Sequence, residues 1–322
     1  MVMAVIQVCL EVAVSSQFLQ FGGFVVYGLS FTLVSSSSVI YWFANMNFKV
    51  QTCLLLLCIL FFENVRSAKI GSVLVTGANR GLGLEFVRQF SQLEDAPDYI
   101  FATYRNESTL QELNKIQLSS KKAQVILIKL DVRFLEQIKA AKEQVEQVVG
   151  DRGLNLLINN AGVLEILEFP NLTFESMEFM FRTNTAAPVI VTQVFLPLLQ
   201  AASRTSNLDG KSVSKAAVIG ITSMTSSIQK TGAEFPQDLI VAGYKISKAG
   251  FNMAMRIMAA EVTNHDILVC NIEPGWVKTD MGTQDAPLEP SESIGAMIET
   301  FGKLDETDQG AFINRFGETF PF

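Results

Sequence analysis

Thr76-Gly77-Ala78-Asn79-Arg80-Gly81-Leu82-Gly83 follows the apolar run of residues 70–75 and opens a pattern in which Leu82, Phe86, Phe90 and Leu93 fall on one helical face. Strand, glycine turn and helix in that order form the entry of a βα unit. Glycines let the backbone approach a pyrophosphate, and the first turn of the helix points unpaired N–H groups and a positive dipole end at the negative charge. The spacing is Gly-x-x-x-Gly-x-Gly, and such a turn also joins a strand to a helix where nothing binds. Its meaning therefore depends on what gathers around it.

The 247 residues from Thr76 to Phe322 suffice for one large α/β domain with a buried core. The leader differs: residues 1–69 hold five charges, Glu11, Lys49, Glu63, Arg66 and Lys69, whereas the rest of the chain holds 52. That contrast places a boundary near Lys69. Residues 18–44 are apolar and long enough to span a bilayer, although Gly22-Gly23 and the serines at 35–38 interrupt them. Residues 50–62, after Met46 and Lys49 and before Ser67-Ala68, have the form of a secretory leader that begins internally. Membrane anchor, cleaved signal and a start codon assigned too early all fit residues 1–69.

The net charge of −7 excludes a general nucleic-acid binder, since no Lys/Arg stripe is available for phosphates. Cys9, Cys53 and Cys58 lie in the leader, so the domain keeps Cys270 alone and forms no internal disulfide. A single histidine, His265, excludes multi-histidine metal sites, and no Gly-x-Ser-x-Gly turn offers a hydrolase nucleophile. No metal is expected. Asn106-Glu107-Ser108 and Asn171-Leu172-Thr173 match the glycosylation sequon, a tripeptide frequent by chance.

Beyond the glycine turn, apolar runs at 99–103, 125–130, 154–158, 216–221 and 267–272 read as strands, the one at 125–130 as fully buried. Between them, Leu110, Leu113 and Ile116, then Leu135, Ile138, Val145 and Val148, then residues 188–199 as the apolar heart of a long helix, and then 242–262, read as helices; 311–313 reads as an edge strand. This alternation predicts an α/β fold of Rossmann type: one doubly wound parallel sheet in a single domain, residues 70–322.

Ligands on such sheets sit at the carboxyl ends of the strands. There the sequence has the glycine turn, Tyr104-Arg105, Asp131-Val132, Asn159-Asn160-Ala161-Gly162, Thr222-Ser223 and Pro274-Gly275. Tyr244 and Lys248, four apart, share one helical face, so the ammonium can approach the phenol. A half-buried tyrosine beside a solvated lysine looks the same. What separates the two is Ser223 at the end of the preceding strand.

The ordered set Thr-Gly-x-x-x-Gly-x-Gly, Asn-Asn-Ala-Gly, Ser, Tyr-x-x-x-Lys and Pro-Gly resembles the classical short-chain dehydrogenase/reductase family over nearly all of residues 70–322. The blocks NRGLGLEFV, TYRN, RTNTAAP, PGWVKTDMG and GAFINRFGETFPF resemble its sniffer-type, C-factor-like carbonyl reductases. The resemblance implies Tyr244 as general acid, Lys248 as its activator and ribose ligand, Ser223 as the hydroxyl on the substrate oxygen, and Asn184 as support for a proton-relay water. Asn184 as a helix-bridging hydrogen bond and Ser223 as a strand-end turn are the plainer alternatives. The sequence departs from the family at Gly220, where asparagine is usual, and in the 21-residue step from Ser223 to Tyr244, whose extra residues, 229–238 among them, suit a loop over the substrate.

A tyrosine brought from pKa 10 to about 7 needs roughly 4 kcal/mol of differential phenolate stabilisation, which a lysine ammonium and an oxidised nicotinamide in a dry cleft can supply. No acidic residue ends the second strand; Arg105 stands there and Arg80 lies in the glycine turn, so two guanidinium groups are placed for a 2′-phosphate, which favours NADP (NADPH). Gly77, Asn79, Arg80, Gly81, Leu82 and Gly83 are expected at the pyrophosphate, Asp131 and Val132 at the adenine, Asn160, Ala161 and Gly162 on the pocket floor. Pro274, Gly275, Val277 and Thr279 are expected at the nicotinamide. Residues 163–170, 224–243 and 276–287, with Phe169, Phe235 and Trp276, form an expected apolar pocket wall.

The expected activity is NADP(H)-dependent reduction of an aldehyde, ketone or quinone. The alternatives are an alcohol or steroid dehydrogenase working oxidatively, and a non-catalytic NADP-binding scaffold. A small apolar substrate, a homodimer through sheet-flanking helices, and a cytoplasmic-facing domain with membrane association through the leader complete the expectations; a leader acting as a signal would instead place the domain in the secretory pathway.

Overall fold

The computed structural model describes residues 69–232 and 241–322. The leader, up to residue 68, and the centre of the loop between Ser223 and Tyr244, including Phe235, lie outside the described residues. Strands β1 (Ser72–Val75), β2 (Tyr99–Tyr104), β3 (Gln124–Lys129), β4 (Leu156–Asn159), β5 (Ala217–Ile221), β6 (Leu268–Glu273) and β7 (Phe312–Asn314) form one parallel sheet in the order β3-β2-β1-β4-β5-β6-β7. The order reverses beside β1. This is the switch point where a crevice opens at the carboxyl ends of β1 and β4.

Helices α1 (Gly81–Gln92), α2 (Gln111–Ser119), α3 (Leu135–Val149), α4 (Phe174–Phe181), α5 (Ala187–Thr205), α6 (Ala242–Glu261) and α7 (Pro290–Phe301) connect the strands. Side chains alternate along β1 as a strand requires: Val73 and Val75 join Phe86, Leu113 and Met297 on one face, while Leu74 joins Ile138, Phe195 and Phe251 on the other. Both faces are covered, so α1, α2 and α7 lie on one side and α3, α5 and α6 on the other. On the first side the Phe86 and Phe301 rings stack at 5.9 Å between α1 and α7.

Four local expectations need correction. β3 is half covered rather than fully buried, with Gln124 and Lys129 exposed, because it is the sheet's edge and has a neighbour on one side alone. In α3 the inward residues are Ile138, Ala141, Val145 and Val149; Leu135 is exposed, since the helix starts at that residue and has not yet reached the sheet. The long helix with its apolar heart at residues 188–199 is α5, and α4 leads into it through a π-helical turn, Arg182–Ala186. Phe169 belongs to the short turn Phe169–Asn171, is 80% exposed and lies away from the cleft. The edge strand expected at 311–313 is β7, one residue later.

Residues 174–205 have the length and apolarity to cross a bilayer, yet half of their apolar window is buried, with Val191, Phe195 and Leu199 packed on the sheet. A core helix explains that stretch.

Gly220, where the sequence departs from its relatives, sits in β5 opposite Asn271 of β6. A β-carbon there would come within 2.3 Å of the Asn271 Oδ1 and 2.7 Å of the Phe251 ring. The missing side chain is replaced by its neighbours, so the departure belongs to the packing.

Candidate active site

A cleft of about 720 Å³ runs along the carboxyl ends of the strands and is lined by the glycine turn, the end of β2, residues 130–133 and 160–164, Ser223, Tyr244, Lys248 and residues 274–277. The site residues expected from sequence come together there, apart from Gly83 and Asn184, which stand behind its surface.

The glycine turn is held from three sides. Thr103 of β2 accepts from the Gly77 N–H through Oγ1 at 3.0 Å and from the Ala78 N–H through its carbonyl at 2.7 Å. Asn160 donates to the carbonyl oxygens of Thr76 and Gly77 at 2.8 and 3.2 Å. The Thr76 hydroxyl accepts from the backbone N–H groups of Asn160 and Ala161. Asn160 is thus a clip between β1 and β4, with its amide committed to backbone. Gly77 has φ +65° and rests against Ala161, and a β-carbon on Gly83 would come within 2.3 Å of the Gly77 carbonyl oxygen. Close helix-to-strand packing requires Gly83, while Gly81 and Leu82 face the cleft.

Helix α1 begins with Arg80 at its N-cap, no side-chain cap and no acidic residue in its first turn. Its first N–H groups are left for an anion, with no carboxylate competing for the dipole. Such a helix start suits the pyrophosphate of a dinucleotide. Asn79 donates to the Thr109 hydroxyl at 3.0 Å, which steadies the turn against the segment after β2. Arg80 is engaged: it pairs with Asp280 at 2.8 Å, their side chains 66% and 73% exposed. Arg105 is exposed at the same end of the cleft.

Burial raises the pKa of the Asp131 carboxyl, but side-chain and backbone hydrogen bonds from Arg133 outweigh it and hold the group below the usual carboxylate range. Arg133 contacts both oxygens, Nε to Oδ1 at 2.9 Å and Nη2 to Oδ2 at 2.6 Å. Arg133 is not expected at the cleft from the sequence, although its pairing across two residues could have been read from Asp131-Val132-Arg133. Val132 is buried beside it.

Tyr244 and Lys248 are both buried on α6. Burial pushes the Tyr244 phenol up to about 12, opposed by the neighbouring Ser223 hydroxyl. Burial likewise pushes Lys248 down to about 8. The Lys248 ammonium donates to the Ile221 carbonyl at 2.8 Å. Ser223 caps the short turn Met224–Ser226, its Oγ accepting from the Thr225 N–H at 3.2 Å and lying 2.9 Å from the Thr225 hydroxyl.

Asn184 lies in the π-helical turn with no exposure. Its amide is fully engaged: Oδ1 accepts from the Val163 N–H at 2.8 Å, and Nδ2 donates to the Val163 carbonyl at 2.8 Å and to Ser247 Oγ at 3.0 Å. The bridging role, here from the π-turn to the segment after β4 and to α6, is what its side chain does. Gly162 leaves the space between the Asn184 Oδ1 and the Lys248 Nζ open, as a β-carbon there would lie 3.4 and 3.7 Å from them.

Gly275 has φ +83° and donates its N–H to Glu273 Oε2 at 2.8 Å. Burial raises the Glu273 pKa, with that N–H and Arg315 acting the other way. Val277 is buried, and the Thr279 hydroxyl accepts from the Gly282 N–H at 3.0 Å while its methyl rests on Gly81. Val163, Leu164, Met224, Val241, Trp276 and Met281 give the far end of the cleft an apolar wall.

This sheet order, a glycine turn opening on an uncapped helix and a buried Tyr-Lys pair beside a strand-end serine define a nucleotide-binding oxidoreductase class, and the comparisons name it. Residues 71–289 match the short chain dehydrogenase family, and the chain belongs to it; its members work with nicotinamide cofactors, and the chain is an oxidoreductase. An NADPH-bound carbonyl reductase from chicken fatty liver is 38% identical, with a TM-score of 0.75 over 79% of this chain and 95% of that one. The carbonyl reductase Sniffer of D. melanogaster is 31% identical, with a TM-score of 0.74 over 79% of this chain and 100% of that one. An uncharacterised oxidoreductase of Schizosaccharomyces pombe is 29% identical over 77% of this chain and 96% of its own length.

Proposed function

We propose that the protein is an NADPH-dependent carbonyl reductase acting on small apolar aldehydes, ketones or quinones. The observation that carries this reading is the pairing of Tyr244 and Ser223 in one cleft with the buried Lys248 and the uncapped start of α1.

The first N–H groups of α1 would hold the pyrophosphate, Lys248 the ribose hydroxyls, and Arg80 with Arg105 a 2′-phosphate. When bound, NADPH supplies the hydride that reduces the carbonyl carbon. Ser223 donates a hydrogen bond to the carbonyl oxygen, and Tyr244 gives that oxygen its phenolic proton as negative charge develops there. Hydride on carbon and proton on oxygen complete the alcohol. The phenolate left on Tyr244 is stabilised by the Lys248 ammonium and takes a proton back from solvent. A relay water would sit beside Gly162, whose missing side chain leaves Asn184 and Lys248 uncovered. With its side chain committed, Asn184 serves this path by holding the π-turn and the Val163 segment in place.

The apolar wall supports an uncharged substrate, since an unpaired charge buried there would carry a large desolvation penalty. The test is purified protein mixed with NADPH and a panel of aldehydes, ketones and quinones, following NADPH consumption and NADPH binding together. Turnover of apolar carbonyls is expected. Tight NADPH binding with no turnover on any of them would favour a non-catalytic scaffold.

A further inference from the structure

Asn252 stands four residues beyond Lys248, so Tyr244, Lys248 and Asn252 form a single row along one side of α6. The amide of Asn252 is 3% exposed and both its ends are used. The Thr222 hydroxyl donates to its Oδ1 at 2.6 Å, and its Nδ2 donates to Ser226 Oγ at 2.7 Å. Ser226 in turn donates to the Ser223 carbonyl oxygen, from Oγ at 2.6 Å and from N–H at 3.0 Å. Asn252 therefore grips the chain immediately before Ser223 and again three residues after it.

The neighbouring member of the row adds a third hold, as Lys248 donates to the Ile221 carbonyl. A rigid helix thus fixes residues 221, 222 and 226, and the same helix carries the phenol that meets Ser223. The turn Met224–Ser226 is three residues long and continues into the long loop that precedes α6. So short a turn has little internal hydrogen bonding to define it. A satisfied buried amide supplies that definition, because any shift of the turn would break bonds that water cannot replace.

We propose that Asn252 is a positioning residue that sets the separation between the Ser223 hydroxyl and the Tyr244 phenol through its clamp on Thr222 and Ser226. The proposal rests on the reading of Ser223 and Tyr244 as the pair that meets the carbonyl oxygen. Asn252 does not line the cleft, so its loss acts on kcat and leaves NADPH affinity unchanged.

The test is a cycle of the full-length wild type, Asn252→Leu, Ser223→Ala and the double variant. Leucine keeps the branched four-atom shape and removes the hydrogen bonds. Misplacing the pair should lower kcat about tenfold or more in the wild-type background, and by less than about twofold once Ser223 is already alanine. Ser226→Ala, which cuts the same link from the other side, should reproduce the loss and serves if Asn252→Leu does not fold. A crystal structure of the Asn252→Leu protein with NADPH gives a readout that needs no turnover, and should show Ser223 Oγ out of hydrogen-bond reach of the phenol. A wild-type kcat in Asn252→Leu while Ser223→Ala is inactive, the same loss in both backgrounds, or an unmoved Ser223 would overturn the proposal. Full activity in Ser223→Ala would instead overturn the reading beneath it, and the proposal with it.

Discussion

The Lys248 ammonium lies 5.9 Å from the centre of the Tyr244 ring and spends a hydrogen bond on the Ile221 carbonyl, 2.8 Å away. The phenol, buried beside the Ser223 hydroxyl, keeps its proton at neutral pH. That is the form a general acid of carbonyl reduction must start in.

Lys248 should cost the protein stability at neutral pH. Its folded-state pKa is lowered to about 8 from 10.5 by burial. Between those values the unfolded chain binds more protons, so the penalty is full below about pH 8 and is relieved as pH rises toward 10.5. The Lys248→Met protein should therefore resist urea better than wild type at pH 7, by as much as about 3 kcal/mol, with the difference shrinking toward pH 10. Equal unfolding midpoints at pH 7 would show that the ammonium is not penalised by burial.

Asp280 competes for Arg80. The pair is so exposed that it should contribute less than about 1 kcal/mol to stability, so Asp280→Asn should melt with wild type. It should bind NADPH more tightly, because Arg80 is then released to the 2′-phosphate, and leave NADH affinity unchanged. Replacing Arg80 and Arg105 by glutamate together should turn the preference toward NADH. Calorimetric titration with both cofactors checks all three statements, and an unaltered NADPH-to-NADH ratio would remove the arginines from the choice of cofactor.

Gly220→Ala should destabilise the fold by roughly 1–3 kcal/mol, the range for overpacking a tight core. The new methyl meets Asn271 at 2.3 Å and the Phe251 ring at 2.7 Å. Chemical denaturation measures the loss. A variant as stable as wild type would mean that β5 and β6 have room at this position.

Gly162→Ala should fold normally, since its β-carbon meets neighbours at ordinary contact distances of 3.4 Å or more. Turnover should nevertheless fall, because the methyl would fill the space between Asn184 and Lys248 proposed for the reprotonation of Tyr244. A kcat equal to that of wild type, with an unchanged solvent isotope effect, would place the relay elsewhere.

The parallel sheet and its ligand edge were legible because they depend on local signals: apolar runs separated by helical faces, with Gly77, Asn160, Ser223 and Gly275 at the carboxyl ends. Tyr244 and Lys248 were legible because four-residue spacing fixes a helical face. The burial of β3 was not, since whether a strand is central or at the edge is decided by which strands pair. Nor were the Arg80–Asp280 pair, separated by 200 residues in sequence, or the accommodation of Gly220 by Asn271, which depends on the register of β5 against β6. The π-turn at Arg182–Ala186 escaped for another reason. Nothing in the run RTNTAAP distinguishes a five-residue turn from ordinary helix, and the buried amide of Asn184 becomes visible as a bridge once Val163 and Ser247 are placed around it.

The most direct test of Tyr244 as the proton donor is a side-by-side measurement of NADPH affinity and carbonyl turnover in wild type and Tyr244→Phe, which deletes one oxygen atom. The expected result is NADPH binding within about twofold of wild type and a kcat lower by about 10²–10⁴, the range that general acid catalysis contributes. Turnover in Tyr244→Phe equal to that of wild type would contradict the account.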